Sequence, residues 1–341
     1  MRAVFIHGIR DVRLGELPAP SPAPDEVLVE VEAVGLCGSD LHYFKEGRIG
    51  SGQVIREPFV PGHEICGRLA QDVPARGWTR GTRVVVEPSR PCGRCEWCHM
   101  GHLNLCPNVV FRGAPPYPGG LCAQIAVRPQ ELFPVPETFA PALTAALEPM
   151  GVCLHAIDLA KPRLLETVAV LGCGPIGLGL IQLLKLVSTA AIWAVDPVPT
   201  RAEAALLNGA DRAADRLDAI ADWSGGRGAD LVLEATNSPD AFQDAAIACR
   251  IGGRIVLVGI PDGDLYRLEA SLARRKGLSI KFSRRMGHVL PRVIELAARG
   301  LIRPERLVSH EVPLDRTGEA LARMATPEPG ILKIVVRPDA S

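Results

Sequence analysis

The sequence predicts an α/β protein with two domains, the first mostly antiparallel β and the second built on a doubly wound parallel sheet. Three observations predict this fold class. The 341 residues exceed what one hydrophobic core normally fills. The first part of the chain combines strand patterns with turns rich in proline and glycine. From about residue 165, apolar strands alternate with helical stretches.

Strand patterns mark the N-terminal part. The segment EVLVEVEAV at 26–34 alternates apolar and acidic residues, which is the period-two pattern of a half-buried strand. GTRVVVEP and AVFI have a similar pattern. LPAPSPAPDE and GAPPYPGG contain prolines and glycines that forbid long helices. An irregular, mostly antiparallel β domain is therefore expected.

The later part of the chain changes character. TVAVLG, AAIWAVD, ADLVLEAT and GRIVLVGI are short apolar strand patterns, and helical stretches such as IGLGLIQLLK and TRAEAALLNGA lie between them. This alternation predicts parallel strands joined by helical crossovers. The helical segment VLPRVIELAARG and the strand ILKIVVRP follow after about residue 287. By pattern alone they could extend the second domain or return to the first.

A dinucleotide-binding fingerprint follows the strand TVAVLG. Its glycines have G-x-G-x-x-G spacing and open a helix, and the positions are Gly172, Gly174 and Gly177, with Pro175 and Ile176 between the last two. Glycine permits the tight turn, lets the backbone approach a pyrophosphate and lets the helix pack on the strand. A glycine-rich turn without a ligand is the alternative interpretation.

The next strand ends in Asp196, 24 residues after Gly172. A carboxylate at this place binds the ribose 2′-hydroxyl of NAD and would repel the 2′-phosphate of NADP. NAD is therefore the predicted cofactor. Arg201 could in principle meet a phosphate, although an arginine beside an aspartate more often lies along the ribose or adenine.

Four of the ten cysteines cluster with C-x2-C-x2-C-x7-C spacing, and they are Cys92, Cys95, Cys98 and Cys106. Four thiolates make a closed tetrahedral zinc site, structural because no position is open for a substrate. An iron–sulfur cluster is the main alternative, since Pro107 follows the last cysteine as it does in cluster motifs. Zinc is predicted because nothing else in the sequence indicates electron transfer.

A second set of ligand types lies earlier in the chain. Cys37 in GLCGSD and the adjacent His63 and Glu64 in PGHE offer a thiolate, an imidazole and a carboxylate, which zinc binds. Taken singly, they could equally be a buried thiol, a hydrogen-bonded loop histidine and a solvated carboxylate. Spacing alone leaves both interpretations open.

Charge and the N-terminus restrict the partners. Lysine plus arginine and aspartate plus glutamate both number 38, so no basic excess is present for a nucleic-acid backbone or an anionic membrane. The start MRAVFIHGIRDVRLGE lacks the apolar region of a signal peptide. A cytoplasmic protein is expected, with no nucleic-acid partner and no membrane span.

The motifs GLCGSD, PGHE, the cysteine cluster, LEPMGVCLHA, VLGCGPIGLG and VGI occur in one order along the chain. In that order they resemble the zinc-dependent medium-chain dehydrogenases along essentially the whole length, most of all the sorbitol, xylitol and threonine dehydrogenase branch. The resemblance implies a GroES-like catalytic domain from residues 1–151 and 287–341, with an inserted Rossmann NAD-binding domain at 152–286. It also implies a homotetramer, with a homodimer next.

The resemblance implies that Cys37, His63 and Glu64 hold a catalytic zinc, so that two zinc ions per chain are expected. Glu148 of LEPMG stands where alcohol dehydrogenases have a second cysteine ligand. In the polyol and threonine branch Glu64 is the usual ligand. Glu148 is therefore expected to lie nearby, to bind through water or to exchange with Glu64.

Further roles are implied by the same resemblance. Ser39 and His42 correspond to a relay that removes the alcohol proton. Val258 and Gly259 of VGI correspond to additional NAD contacts. Tyr43 matches a tyrosine that lines polyol pockets.

Arg285 aligns with an arginine that binds polyol hydroxyls. The next residue is Met286, where sorbitol dehydrogenases have tyrosine, and Arg284 is a neighbour that could take the role instead. This departure leaves the identity of the polyol open.

The expected activity is hydride transfer from a secondary alcohol of a polyol or vicinal diol to NAD. A threonine or aldonate dehydrogenase shares every motif and is the alternative within enzymes. A non-catalytic NAD-binding sensor is the alternative of a different class, against which the retention of Cys37, Ser39 and His63 argues. A zinc-ribbon nucleic-acid binder is disfavoured because residues 91–106 carry only Arg94 against Glu96.

Overall fold

A computed structural model describes residues 1–50, 52–187, 189–326 and 328–338. The chain forms two compact units. Unit 1 comprises Met1–Glu148, Leu290–Arg299 and the described residues from Val308 onward, and unit 2 comprises Pro149–Val289 and Gly300–Leu307. The expected boundaries differ from this division most clearly at Gly300–Leu307, which lies in unit 2. There the Gln182 side chain bonds both the N–H and the carbonyl of Arg303, at 2.7 and 3.1 Å.

The N-terminal part supplies most of unit 1. Its strands are β1 (Arg2–Gly8), β2 (Asp11–Glu16), β3 (Val27–Gly35), β4 (Arg48–Ile49), β5 (Gln53–Val54), β6 (Glu64–Leu69), β7 (Arg83–Val86), β8 (Ser89–Arg90), β9 (Val110–Phe111), β10 (Gln124–Val127) and β11 (Leu132–Pro134). Its helices are α1 (Gly38–Glu46), α2 (Glu96–His99), α3 (Pro141–Ala145) and the start of α4 (Leu147–Ala160). The predominance of short strands agrees with the sequence prediction.

Unit 2 alternates strands with helices as predicted. Its strands are β12 (Thr167–Leu171), β13 (Ala191–Val195), β14 (Arg212–Ala214), β15 (Ala229–Glu234), β16 (Cys249–Leu257) and β17 (Ser279–Phe282). Its helices beyond α4 are α5 (Pro175–Leu184), α6 (Pro199–Leu207), α7 (Ala219–Ser224), α8 (Ala241–Ala248) and α9 (Ala270–Lys276). The strands pair in parallel in the order β14-β13-β12-β15-β16-β17. The order reverses between β12 and β15, and ligands of doubly wound sheets bind at such a point.

The last part of the chain completes unit 1. Its elements are α10 (Leu290–Ala298), β18 (Val308–Pro313), α11 (Thr317–Met324) and β19 (Lys333–Arg337). The main sheet of unit 1 has the order β11-β7-β6-β3-β19-β18, with β10 also paired to β3. β19 therefore lies directly beside β3, with Val335 opposite Gly35. The tail returns to the first unit, as the resemblance implies.

The alternation in β3 has the expected consequence. Val27, Val29 and Val31 are buried, while Glu30 is exposed, and the buried valines join one hydrophobic core with β6, β7 and β19. A second core lies on the parallel sheet of unit 2. Each unit therefore has its own core.

One helical stretch, Pro141–Ala160, is long and apolar enough to cross a membrane by length and composition. Within this stretch, 72% of the most apolar 18-residue window is buried inside the protein. Core helices of globular proteins have the same property. Another apolar stretch, IGLGLIQLLKLVSTAAIWAV, contains most of α5 and all of β13.

Candidate active site

Three potential metal ligands meet in unit 1. Cys37 is the residue before α1, and His63 and Glu64 lie where the chain enters β6. One ligand atom from each of the three side chains lies within 4.8 Å of the others. His63 and Glu64 are 5% and 0% exposed. A thiolate, an imidazole and a carboxylate at this spacing fit a zinc site with three protein ligands and an open fourth position.

A buried aspartate holds the two ligand-bearing loops together. Asp40, which is 0% exposed, accepts the Cys37 N–H at 2.9 Å and the Gly62 N–H at 3.2 Å. The same carboxylate lies 4.0 Å from Nδ1 of His63. Sequence reasoning missed Asp40. The available signal was an acidic residue three positions after the residue that precedes a helix, which is the capping-box pattern.

Several acidic groups lie close to His63 and Glu148 in this pocket. Burial opposes protonation of His63, but the negative charges of Cys37, Asp40 and Glu148 outweigh it and raise the pKa of His63 to about 10. Burial, with the nearby Glu64 charge, raises the pKa of Glu148 to about 7. A divalent cation would relieve this repulsion, so the charges of the residues present fit zinc.

The two oxygens of Glu64 have different surroundings. Oε1 accepts a hydrogen bond from Nζ of Lys333 at 2.6 Å, and this lysine also donates to the Leu36 carbonyl at 3.1 Å. Oε2 is buried and has no hydrogen-bond partner among the described residues. A metal ligand position suits this oxygen. Glu148 is buried nearby but does not belong to the three-residue set among the residues described.

The predicted relay residues lie on α1. Ser39 is half-buried, and His42 is 7% exposed with Nδ1 at 3.4 Å from the Oε1 atom of Glu46. Spacings of three and four residues place Ser39, His42 and Glu46 along one face of the helix. Tyr43 is 1% exposed, its ring packs edge-on against Phe59, and its hydroxyl donates to Gln53 at 3.2 Å.

The four clustered cysteines converge on one point. Their sulfurs lie within 4.8 Å of one another, and those of Cys95 and Cys106 are 3.8 Å apart. A tetrahedral site with Zn–S bonds of about 2.3 Å has edges of about 3.8 Å, whereas a disulfide would need about 2.0 Å. The Arg94 N–H lowers the pKa of Cys92 to about 6, which favours the thiolate that binds metal.

The glycines of the fingerprint lie in the turn between β12 and α5 and at the start of that helix. Gly172 has φ +86°, and a Cβ there would lie 2.7 Å from Cγ2 of Thr236. A Cβ on Gly177 would lie 1.8 Å from the Gly172 carbonyl oxygen, so α5 needs glycine to pack on the turn. A Cβ on Gly174 would meet nothing within 4 Å. Space is therefore open at the start of α5, where Pro175 and Ile176 form the first turn and a pyrophosphate would bind.

The other predicted cofactor residues follow the carboxyl ends of strands in the same sheet or lie on the next helix. Asp196 is 4% exposed and accepts the N–H groups of Cys173 and Val198 at 2.7 and 2.9 Å. Arg201 is half-buried on α6. Val258 and Gly259 follow β16 directly.

Arg285 lies in unit 2, after β17 and before α10. Its backbone has φ +54°, which a non-glycine residue rarely adopts, and its side chain is half-buried. Met286, the departure from the sorbitol dehydrogenase pattern, is 3% exposed.

Comparison with known proteins places this geometry in a family. Residues 23–137 match the model of the alcohol dehydrogenase GroES-like domain, and residues 175–299 match that of the zinc-binding dehydrogenases. Sorbitol dehydrogenase of Bacillus subtilis is 35% identical over 99% of this chain and 98% of its own. The chain is a zinc-dependent medium-chain dehydrogenase. It falls within the polyol dehydrogenase branch of that family.

Solved structures agree with this assignment. L-idonate 5-dehydrogenase of Escherichia coli K-12 superposes on the dehydrogenase with a TM-score of 0.89 and 27% identity, over 98% of this chain and 97% of its own. An alcohol dehydrogenase of Escherichia coli CFT073, complexed with NADH, has the same TM-score and identity over 99% of both chains. The match to the zinc-binding dehydrogenases, and similar structures bound to NADH or to NADP, agree with the predicted zinc and with a nicotinamide dinucleotide as cofactors.

Gly35 is a further site residue of the dehydrogenase that the sequence did not reveal. It faces Glu64 across β3 and β6, and a Cβ on Gly35 would lie 2.0 Å from Oε2 of Glu64. We expect Gly35→Ala to displace the carboxylate, reduce bound zinc and lower the free energy of unfolding by about 1–3 kcal/mol. Zinc analysis and denaturant titration measure the two effects.

Gly38→Ala is the matched control for that substitution. A Cβ on Gly38 would meet nothing within 4 Å, although the residue lies next to Cys37. Equal zinc loss in both variants would show that displacement of Glu64 is not the cause.

Proposed function

We propose that the protein oxidises a secondary alcohol of a polyol or vicinal diol and transfers the hydride to NAD. The observation that carries this proposal is the convergence of Cys37, His63 and Glu64 on one point, with three protein ligands among the residues that the structure describes. An open fourth position distinguishes a catalytic zinc site from a structural one. A sensor or scaffold would have no need for it.

Bound zinc would act as a Lewis acid on the alcohol oxygen, and NAD would accept the hydride. The chain's own residues would remove the proton from the alcohol oxygen so that the hydride leaves from an alkoxide. Ser39 would take this proton while passing its own hydroxyl proton to His42. The 3.4 Å separation between His42 and Glu46 supports a role for Glu46 in stabilising the charged imidazole.

We propose that unit 1 is the catalytic domain and unit 2 the nucleotide-binding domain. Asp196, at the end of β13, supports NAD over NADP because its carboxylate lies beside the fingerprint turn, bonded to the Cys173 N–H. Arg201 on α6 would lie along the adenosine. Val258 and Gly259 would contact the other half of the cofactor.

Two kinds of evidence support the proposed substrate class, namely the similarity to known dehydrogenases and the candidate residues Arg285 and Tyr43. The similarity to sorbitol dehydrogenase supports a polyol, with Arg285 as the hydroxyl-binding residue. Tyr43 is buried against Phe59 and its hydroxyl bonds Gln53, which supports a role in lining the pocket rather than in binding a substrate hydroxyl. The similarity to L-idonate 5-dehydrogenase supports an aldonate as the second candidate, since an arginine binds a carboxylate well.

The deciding experiment is a substrate panel followed by NADH absorbance. Polyols, vicinal diols, aldonates and threonine are each tested with NAD and with NADP, before and after removal of metal by a chelator. We expect NAD-dependent oxidation that is confined to one stereochemical series of polyols or diols and is lost with the metal. Turnover that persists in metal-free protein, or a complete lack of turnover with zinc bound, would refute the proposal.

We also propose a cytoplasmic homotetramer or homodimer. β17 is an edge strand of the described sheet in unit 2, and Phe282 at its end is 61% exposed. Exposed apolar edge strands favour pairing with a second copy. We expect Phe282→Glu to shift the assembly towards smaller species in analytical ultracentrifugation, whereas Leu165→Glu, at an exposed turn, should not. An unchanged sedimentation profile for Phe282→Glu would exclude this edge as the interface.

A further inference from the structure

A buried glutamate in unit 2 has no part in the metal chemistry. Glu234 is the last residue of β15 and is 0% exposed. β15 lies between β12, which carries the glycine fingerprint, and β16, which leads to Val258 and Gly259. Glu234 thus lies at the carboxyl end of the sheet, next to the point where the strand order reverses.

Glu234 connects two loops at this edge. Its Oε1 accepts the Thr236 N–H at 2.5 Å. Its backbone carbonyl accepts the N–H groups of Val258 and Gly259, at 2.8 and 3.2 Å. The side chain therefore fixes the turn after β15, and the main chain fixes the turn after β16.

The turn that Glu234 holds has little freedom to move. A Cβ on Gly172 would lie 2.7 Å from Cγ2 of Thr236, and a Cβ on Gly259 would lie 1.9 Å from the Thr236 carbonyl oxygen. Thr236 is therefore packed between the fingerprint turn and the loop after β16. A shift of Thr236 would disturb both of its neighbours.

The strand order indicates which half of the dinucleotide these loops contact. Asp196, the expected partner of the adenosine ribose, directly follows β13 on one side of the fingerprint strand. In doubly wound sheets a dinucleotide binds across the point where the strand order reverses, which here lies between β12 and β15. The loops after β15 and β16 would therefore lie beside the nicotinamide half.

We propose that Glu234 is a positioning residue for the nicotinamide half of NAD, acting through the Thr236 turn and Gly259. The inference rests on the proposed use of NAD. Glu234 need not touch the cofactor itself. Its hydrogen bonds hold the loops after β15 and β16 in place, and these loops would contact the cofactor.

The surroundings of the Glu234 carboxyl group agree with its role as a hydrogen-bond acceptor for the Thr236 N–H. Oε2 is buried and has no hydrogen-bond partner among the residues described. Burial raises the pKa of Glu234 to about 7, and the N–H groups of Thr236 and Gly259 oppose that shift. Both forms of the carboxyl retain an acceptor for the Thr236 N–H, as does the amide of glutamine.

The test compares NADH with ADP-ribose, which lacks the nicotinamide ring. NADH binding is followed by fluorescence and ADP-ribose binding by calorimetry in the wild type, Glu234→Gln, Glu234→Leu and Glu234→Asp. We expect Glu234→Leu and Glu234→Asp to weaken NADH at least tenfold and ADP-ribose less than twofold. Glu234→Gln should bind both ligands within threefold of the wild type, because the amide oxygen replaces Oε1.

Two results would overturn the inference. Equal weakening of NADH and ADP-ribose would mean that Glu234 only supports the sheet, and wild-type binding in Glu234→Leu and Glu234→Asp would mean that the turn does not depend on it. If Glu234→Leu fails to fold, the comparison of NADH with ADP-ribose binding in Glu234→Asp still tests the inference, because aspartate is shorter but keeps the carboxyl group. The readout is binding rather than turnover, so a failure to find an oxidised alcohol would leave this result intact.

Discussion

Replacing Cys37 by serine is expected to remove one of two zinc ions per chain and to lower kcat/KM for alcohol oxidation by at least about a thousandfold. Serine keeps the size of the side chain but lacks the thiolate that zinc binds strongly. The zinc in the cysteine cluster at residues 92–106 does not depend on Cys37. Zinc content by mass spectrometry and steady-state kinetics measure the two effects.

Cys122→Ser is the matched control in the same unit. Cys122 is buried and bonds the carbonyls of Gly119 and Gln124, and it belongs to neither set of potential metal ligands among the residues described. A serine hydroxyl can make the same bonds, so we expect two zinc ions and nearly normal turnover. Near-normal turnover in Cys37→Ser would contradict the assignment of the catalytic metal.

Lys333→Met is expected to lower the free energy of unfolding of the metal-free protein by about 3–5 kcal/mol. Burial opposes the charged form of Lys333, but Glu64 and Cys37 raise the pKa of the lysine above its ordinary value. Methionine would leave the Glu64 carboxylate buried without its cation. With zinc bound the loss should be smaller, because the metal supplies positive charge at the same carboxylate.

Urea titration with and without zinc measures this difference. Lys185→Met is the control, because Lys185 is 49% exposed and forms a surface ion pair with Asp211 at 3.7 Å. Such pairs contribute about 0–1 kcal/mol, whether or not metal is present. An equal loss in Lys333→Met with and without zinc would mean that Glu64 does not bind the metal.

The elements that sequence reasoning found are those with a local signal. The alternation in β3 and the glycines before α5 depend on neighbours a few residues apart, so periodicity and spacing are enough to predict them. The cysteine cluster is equally local. The return of the tail to unit 1 was available only through the family resemblance, because an apolar strand can pair in either sheet.

The site residues that were missed depend on distant contacts. Lys333 lies 269 positions from Glu64, and no pattern in ILKIVVRP distinguishes its lysine from one on a surface strand. Gly35 looks like an ordinary strand end, and only the carboxylate opposite explains the need for glycine. Glu234 resembles the polar end of an apolar strand. Such residues look like ordinary surface or strand-end residues in the sequence, and only their burial beside distant partners shows their role. Sequence patterns predict burial only on average.

The position of β19 has a consequence for synthesis of the protein. This strand follows the whole of unit 2 along the chain, yet it pairs with β3 and carries Lys333 to Glu64. On the ribosome, the contiguous strands of unit 2 can pair while the sheet of unit 1 still lacks this partner. The pocket around Glu64 therefore receives the charge of Lys333 only after unit 2 has emerged, so we expect zinc to bind there late in synthesis.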